Sequence, residues 1–385
     1  MCQRFRIVAP HERKFLGYHF KLRQEMLMNN LITLLVDVLA IPFKSHECPP
    51  CEASYLDPKI RLLRANRLDD TSGTWPTISS LPPKIQLMIF DRLECMTDRM
   101  ALAATNNYFF ELSLPALHDG LASHMGPWAG KNIVCVGEDV KPGDLPPGLF
   151  AEEGEHGLSL RKIQRLDEDG YTKESEPAPL QPSHYSRLAL SLPLKVNAYR
   201  DYIKYLQRAN GSTAEVKLIS PDMTSTLWLG LRSLDLYPKD QPWILRNLTT
   251  KEFVRAEAIA LKPEYMRGPL ILGIGFGHVV MSRICWSSGS SVGTQDASNI
   301  SRGVWAGHRF DIIAFPKHVE ATKGEEWVDV SDEVVDEIAR IWEAECGSNW
   351  REEVIEEADW EAGDILMNCD YYGEFSMAKY KFQDL

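Results

Sequence analysis

Gly273, Gly275 and Gly277 stand in the run GIGFGHVV, and alternating glycines of this kind can form a turn whose backbone N–H groups cradle a phosphate. Their G-x-G-x-G spacing matches neither the dinucleotide fingerprint nor the phosphate-binding loop, and no Lys-Ser/Thr pair follows. The residues downstream read as a strand, so a glycine-rich lead into a buried strand is the expectation and a nucleotide site the alternative. In SHECPPC, His46, Cys48 and Cys51 supply part of a tetrahedral zinc set, without a second pair at suitable spacing. His278, Cys285, His308 and Asp311 are types that serve in nucleophilic and acid–base chemistry, and all fall on expected strands or their ends. No G-x-S-x-G and no cysteine-protease context surrounds them, which makes polar decoration of sheet edges the expectation. Catalytic residues, metal ligands and cofactor sites are accordingly assigned to none of these positions.

The elements that must position such groups are short apolar runs rich in β-branched and aromatic residues. WILRNLT, HVVMSRICW and RFDIIAF read as strands separated by Gly, Pro, Ser and Asn clusters. A helix is expected from Ser331 as N-cap, with Asp332 and Glu333 in its first turn, Val334, Val335, Ile338, Ile341 and Trp342 facing inward, and Gly347 ending it. Further helices are expected over Asn30 to Leu39, near Leu158 to Leu166, and on the face made by Tyr199, Tyr202, Ile203 and Leu206. The expected fold is α+β: a helical and irregular region over 1–75, a helical module over 76–115, a proline-rich linker over 116–187, an α+β domain with a mainly antiparallel sheet over 188–365, and a tail over 366–385.

With 385 residues, 44% of them hydrophobic and 25% charged, the chain has the composition of a globular protein with more than one domain. The net charge of −12 is concentrated in Glu320 to Asp364, where seventeen acidic residues face three basic ones. No basic stripe is left for a phosphate backbone, which argues against nucleic acid as a partner, and the acidic stretch reads as a solvated helical face. Met26 to Phe43 is apolar, but Asn29, Asn30 and Asp37 interrupt it and Pro42 ends it, so an amphipathic helix is expected and not a membrane span. Eight scattered cysteines suit reduced thiols in the cytoplasm or nucleus.

The segment LPPKIQLMIFDRLECMTDRMALAATNNYFFEL, Leu81 to Leu112, carries the densest pattern. Leu81, Ile85, Met88, Ile89 and Leu93 form one apolar face of a helix begun by Pro82 and Pro83, with Leu87 and Phe90 lying off that face. Thr97 and Asp98 are expected to cap a second helix through Met100, Leu102, Ala103 and Ala104, and Tyr108, Phe109, Phe110 and Leu112 a third short element. A unit this small must lean on the rest of the chain or on a partner.

The order L-P-P-x-I-x-x-x-I-x-x-x-L, then D-x-M-x-L-A-x-x-x-N-x-x-F, over Ser79 to Leu114, resembles an F-box, the three-helix module that binds the Skp adaptor of cullin-RING ubiquitin ligases. The pattern is departed from at Lys84, where an acidic residue is common, at Cys95, where a proline often follows, and at Arg99, where an aliphatic is usual. The resemblance implies an adaptor interface at Leu81, Pro82, Ile85, Ile89, Leu93, Met100, Leu102 and Phe109. WILRNLTTKEFVRAEA, SRICWSS and GVWAGHRFDII are similar to the C-terminal region of uncharacterised fungal F-box proteins, from which no function follows. The implied role is that of a non-enzymatic target receptor that reaches cullin through the adaptor and presents a protein target for ubiquitination. The alternatives are an α+β enzyme with its site near the glycine-rich turn at 273–277, and an F-box protein that works with the adaptor outside a ligase.

Overall fold

FRIVA and KFLGYHF, at the start of the chain, form β1 (Phe5–Ala9) and β2 (Lys14–Phe20), an antiparallel hairpin whose register pairs Ile7 with Leu16 and Ala9 with Lys14. Every residue of β1 except Arg6 is buried. The computed structural model describes residues 3–28, 30–47, 78–105, 107–141, 143–149, 163–166, 172–175, 186–188, 236–289 and 300–367. Along it follow α1 (Leu22–Met28), α2 (Asn30–Leu39), α3 (Pro83–Arg92), α4 (Met96–Ala103) and α5 (Asn107–Ala122). Next come β3 (Lys131–Asn132), β4 (Val134–Gly137), β5 (Ile163–Leu166), β6 (Thr172–Ser175) and β7 (Ser186–Arg187), then β8 (Trp243–Asn247), β9 (Glu252–Arg255) and α6 (Ala256–Ile259). The chain continues through β10 (Met266–Arg267), β11 (Leu270–Ile271), α7 (Phe276–Arg283), β12 (Cys285–Trp286), β13 (Arg309–Ala314), α8 (Phe315–Ala321), β14 (Val328–Asp329), α9 (Ser331–Cys346) and α10 (Trp350–Met367). The fold class is α+β, as expected.

The chain divides into two units, one made of Met1–Ile41, Gly126–Ala189 and Lys239–Cys369, the other of Pro42–Met125, Leu190–Pro238 and Asp370–Leu385. The first unit contains two five-stranded sheets. One has the order β12-β4-β1-β2-β7, with β1 antiparallel to both its neighbours, and β12 and β7 added in parallel at the edges. The other has the order β14-β9-β8-β13-β3, with WILRN as its buried central strand, antiparallel to β9 and β13. The side chain of Asn247 closes the β8–β9 turn by accepting the N–H groups of Thr249 at 3.1 Å and Thr250 at 3.3 Å.

This arrangement corrects the expected boundaries. The region expected to be helical and irregular over 1–75 has its helix at Asn30–Leu39 but opens with strands, and β1 hydrogen-bonds to β4 and therefore belongs with the later sheet. The linker over 116–187 also gives up its ends: α5 runs to Ala122, and β3 and β4 are sheet strands. Ile163–Leu166, expected within a short helix, is a strand antiparallel to Thr172–Ser175. The helix expected around Tyr199 to Leu206 lies outside the described residues.

Helix α2 spans the expected Asn30–Leu39, and Glu25 caps it by accepting the N–H of Leu31 while taking a hydrogen bond from Tyr18 Oη at 3.2 Å. Burial pushes the Glu25 carboxyl above its ordinary range. Helix α9 has the expected stripe, with Val334, Ile338, Ile341 and Trp342 buried and Val335 half-buried, and it ends at Gly347 in the left-handed region, φ 85°. Its cap is Val330 and not Ser331, whose hydroxyl instead accepts the Arg255 N–H at 2.9 Å and ties α9 to the end of β9. The solvent side of α9 is acidic, and Glu333 and Glu337 both pair with the buried Arg283 of α7. Among the described residues no helix is long and apolar enough to cross a membrane.

Candidate partner-docking surface

In the second unit, Pro83 opens α3 at a position where a missing N–H removes nothing, and Phe90 of that helix enters a core shared with Met100, Ala103, Tyr108, Phe109, Phe110, Leu117 and Leu121. Helix α3 turns Gln86 and Phe90 inward. Gln86 is buried between α3 and α5, its Nε2 donating to Ile78 O at 2.9 Å and its Oε1 accepting from Tyr108 Oη. A buried amide satisfied at both ends fixes the rotation of α3 about its axis.

That rotation sends the more apolar row outward. Ile85 is 41% exposed and Met88 50%, with Leu81 and Ile89 half-buried beside them and Pro82 and Lys84 exposed at the margin. Ile85, Met88 and Ile89 share one face of α3, and Leu81 precedes the helix just before its cap Pro82, so the four make an apolar strip along its start and flank. Leu93 and Leu102 are half-buried. Met100 and Phe109, at 0% and 2% exposure, are interior to the module. Their assignment to a contact surface is corrected: they build the core beneath it, Phe109 edge-on to Phe90 with ring centroids 6.3 Å apart. Met88 was on the sequence stripe but not among the assigned positions, and it is the most exposed residue of the strip. Helix α4 begins at Met96 with Cys95 as its cap and no side-chain capping bond, so Thr97 and Asp98 do not cap it. The third element is a sixteen-residue helix, longer than expected, with Pro115 inside it.

The residues singled out in the first unit do not converge on one centre. HVVMSRICW is mostly helix α7, with only Cys285 and Trp286 in a strand, so the glycine-rich turn leads into a buried helix and not a buried strand. Each glycine has a structural use there. Gly273 takes a left-handed φ of +70°, Gly275 caps α7, and Gly277 lies against the backbone of α2, where an added Cβ would overlap the Ile32 carbonyl. The first turn of this helix is buried, and Gly275 N–H donates to His278 Nδ1 at 3.0 Å. Gly277→Ala is expected to lower stability by about 1–3 kcal/mol through overpacking against backbone, read as a reduced urea midpoint at unchanged slope.

His278 is buried, its ring edge-on to Trp342 at 5.2 Å, and burial pushes its pKa down to about 4. Cys285 is buried in register with Cys135 on β4; burial and then the Cys285 thiol hold the Cys135 thiol well above its ordinary range. His308 accepts a hydrogen bond from Asn247 Nδ2 at 2.9 Å, and burial lowers its pKa. Asp311 forms a bidentate pair with Arg246 at 2.8 and 2.7 Å. Each of the four is engaged in packing or pairing of its own neighbourhood. Cys48 and Cys51 lie outside the described residues, and among the described residues no group of three His, Cys, Asp or Glu side chains is placed to hold a metal ion. Trp243, Trp286, Trp305, Trp342 and Trp350 are core residues, whereas Trp360 is exposed on α10.

Neither the family models, the curated proteins nor the solved structures include a match to this chain.

Proposed function

We propose that this chain is a target-recognition subunit of a cullin-RING ubiquitin ligase, working in the cytoplasm or nucleus and docking through α3 to α5 on the Skp adaptor. The observation that supports it most is the outward apolar strip of Leu81, Ile85, Met88 and Ile89, on a module whose core is already closed by Phe90, Met100 and Phe109. An apolar row left outside a completed core is a surface awaiting a partner. It lies in the residues whose order resembles an F-box. Burying each such side chain contributes roughly 1.5–3 kcal/mol, so a few anchors suffice once the entropy of association is subtracted. No catalytic group on this chain is needed, because the mechanism is proximity: the remainder of the chain holds a protein target, raising the local concentration of its lysines beside the charged ubiquitin carrier. Nucleic acid and membrane have no part in this reading.

The test is co-purification of the full chain with the adaptor and cullin. Wild type is expected to recover both, and Ile85→Asp to recover at least about tenfold less of each, since a carboxylate in an apolar contact loses more than a factor of ten in affinity. Ile85 is exposed enough that the variant should keep its unfolding midpoint. Equal recovery by the two proteins overturns the proposal. Adaptor without cullin supports the adaptor-bound role outside a ligase instead.

A further inference from the structure

Helix α3 ends at Leu93, which is already extended, at φ −77° and ψ 108°, and whose N–H turns back to Phe90 O. The last carbonyls of a helix have no intrahelical partners, and at this end they carry the negative pole of the helix dipole. Arg99, on the following helix, supplies both a donor and a charge there. Its Nε donates to Leu93 O at 2.6 Å and its Nη2 reaches Asp91 O at 3.5 Å. The same guanidinium donates from Nη1 to Ala116 O on α5 at 3.1 Å. Gly120, one turn on, keeps the space open: a Cβ there would lie 2.7 Å from Nη1 of Arg99 and would overlap the tip of Met96. One planar fork on α4 thus joins the end of α3 to the middle of α5.

We propose that Arg99 is a positioning residue for the docking strip: by pinning the end of α3 to α5 it sets the angle at which Leu81, Ile85, Met88 and Ile89 face outward. This rests on the docking reading given above. A lysine offers a compact ammonium that cannot reach carbonyls on two helices at once, so the position requires arginine geometry as well as charge.

The experiment measures the affinity of the full chain for purified Skp adaptor well below the unfolding midpoint, together with amide exchange in the last turn of α3. Arg99→Met is expected to weaken binding about tenfold or more and to speed exchange at Arg92 and Leu93, with Arg99→Lys intermediate in both. Gly120→Ala should weaken binding in the wild-type background and add little to Arg99→Met, because both act on the same guanidinium. If Arg99→Met is unstable, the Arg99→Lys and Gly120→Ala arms carry the test. Unchanged affinity in folded Arg99 variants, or full additivity with Gly120→Ala, overturns the proposal alone. A wild-type chain that does not bind adaptor overturns the docking reading, and with it the surface that Arg99 would position.

Discussion

Asp311→Ala is expected to lower the unfolding free energy by about 3–5 kcal/mol, the range for removing one partner of a buried ion pair. Arg246 on the central strand β8 and Asp311 opposite it on β13 are register partners, and both are nearly inaccessible. The guanidinium is held on every side: Nε and Nη2 on the two carboxylate oxygens, Nη1 3.4 Å from His318 Nδ1, and its plane 5.4 Å from the ring of Trp327. Without Asp311 a buried cation has only a neutral imidazole and an indole face, and the penalty of the unpaired charge dominates. His318 does not relieve it, since burial and then Arg246 already hold its pKa below the usual value, while the Asp311 charge that opposed this is gone. The double variant Arg246→Met with Asp311→Leu should be much less destabilised than Asp311→Ala, because it removes the charge with its partner. Urea unfolding of the three proteins measures this, and a double variant as unstable as the single one would show that the pair's geometry, rather than its uncompensated charge, is what the sheet needs.

Parts of this architecture could be read from local pattern alone. Helices α2 and α9, strands β8 and β13, and the glycine stop at Gly347 follow from periodicity and terminators within each segment. Helix α7 was misread because all of its residues are buried, which erases the period of 3.6, and Val279, Val280 and Ile284 then mimic a strand. The placing of the first hairpin in the later sheet was illegible for another reason: β4, the second partner of β1, lies more than a hundred residues downstream, and no local signal reports a pairing that remote. The docking strip was legible as an apolar face, yet sequence did not say which way that face points. Leu87 and Phe90 make α3 apolar on a second side, and what settles the matter is Gln86, a polar residue given an interior place by Ile78 O and Tyr108 Oη. Met100 and Phe109, placed on the contact surface by the resemblance alone, belong to the core.

His278 should remove about 3 kcal/mol of stability as the pH drops from about 6.5 to about 4. The sign follows from the two states. In the unfolded chain His278 titrates near its ordinary value of 6.5, whereas in the folded protein burial, opposed in part by the backbone of Met26 and Gly275, holds it at about 4. Between those values the unfolded chain binds a proton that the folded protein refuses, so acid favours unfolding. The contribution is complete above about pH 6.5, declines by at most about 1.4 kcal/mol per pH unit, and is exhausted below about pH 4. The structural reason for the refusal is the burial of the ring against Trp342, where its Nδ1 faces the Gly275 N–H at 3.0 Å in the cap of α7. Urea titrations at pH 7.5 and pH 5 should differ by about 2 kcal/mol more for wild type than for His278→Gln, whose amide oxygen can accept the same N–H without titrating. Asp37, which burial raises to about 7, and Glu25, also raised by burial, work in the opposite direction and are common to both proteins, so they cancel in the comparison. An equal pH dependence in the two proteins would mean that His278 takes up its proton in the folded state, and the cap of α7 would then have to open to admit it.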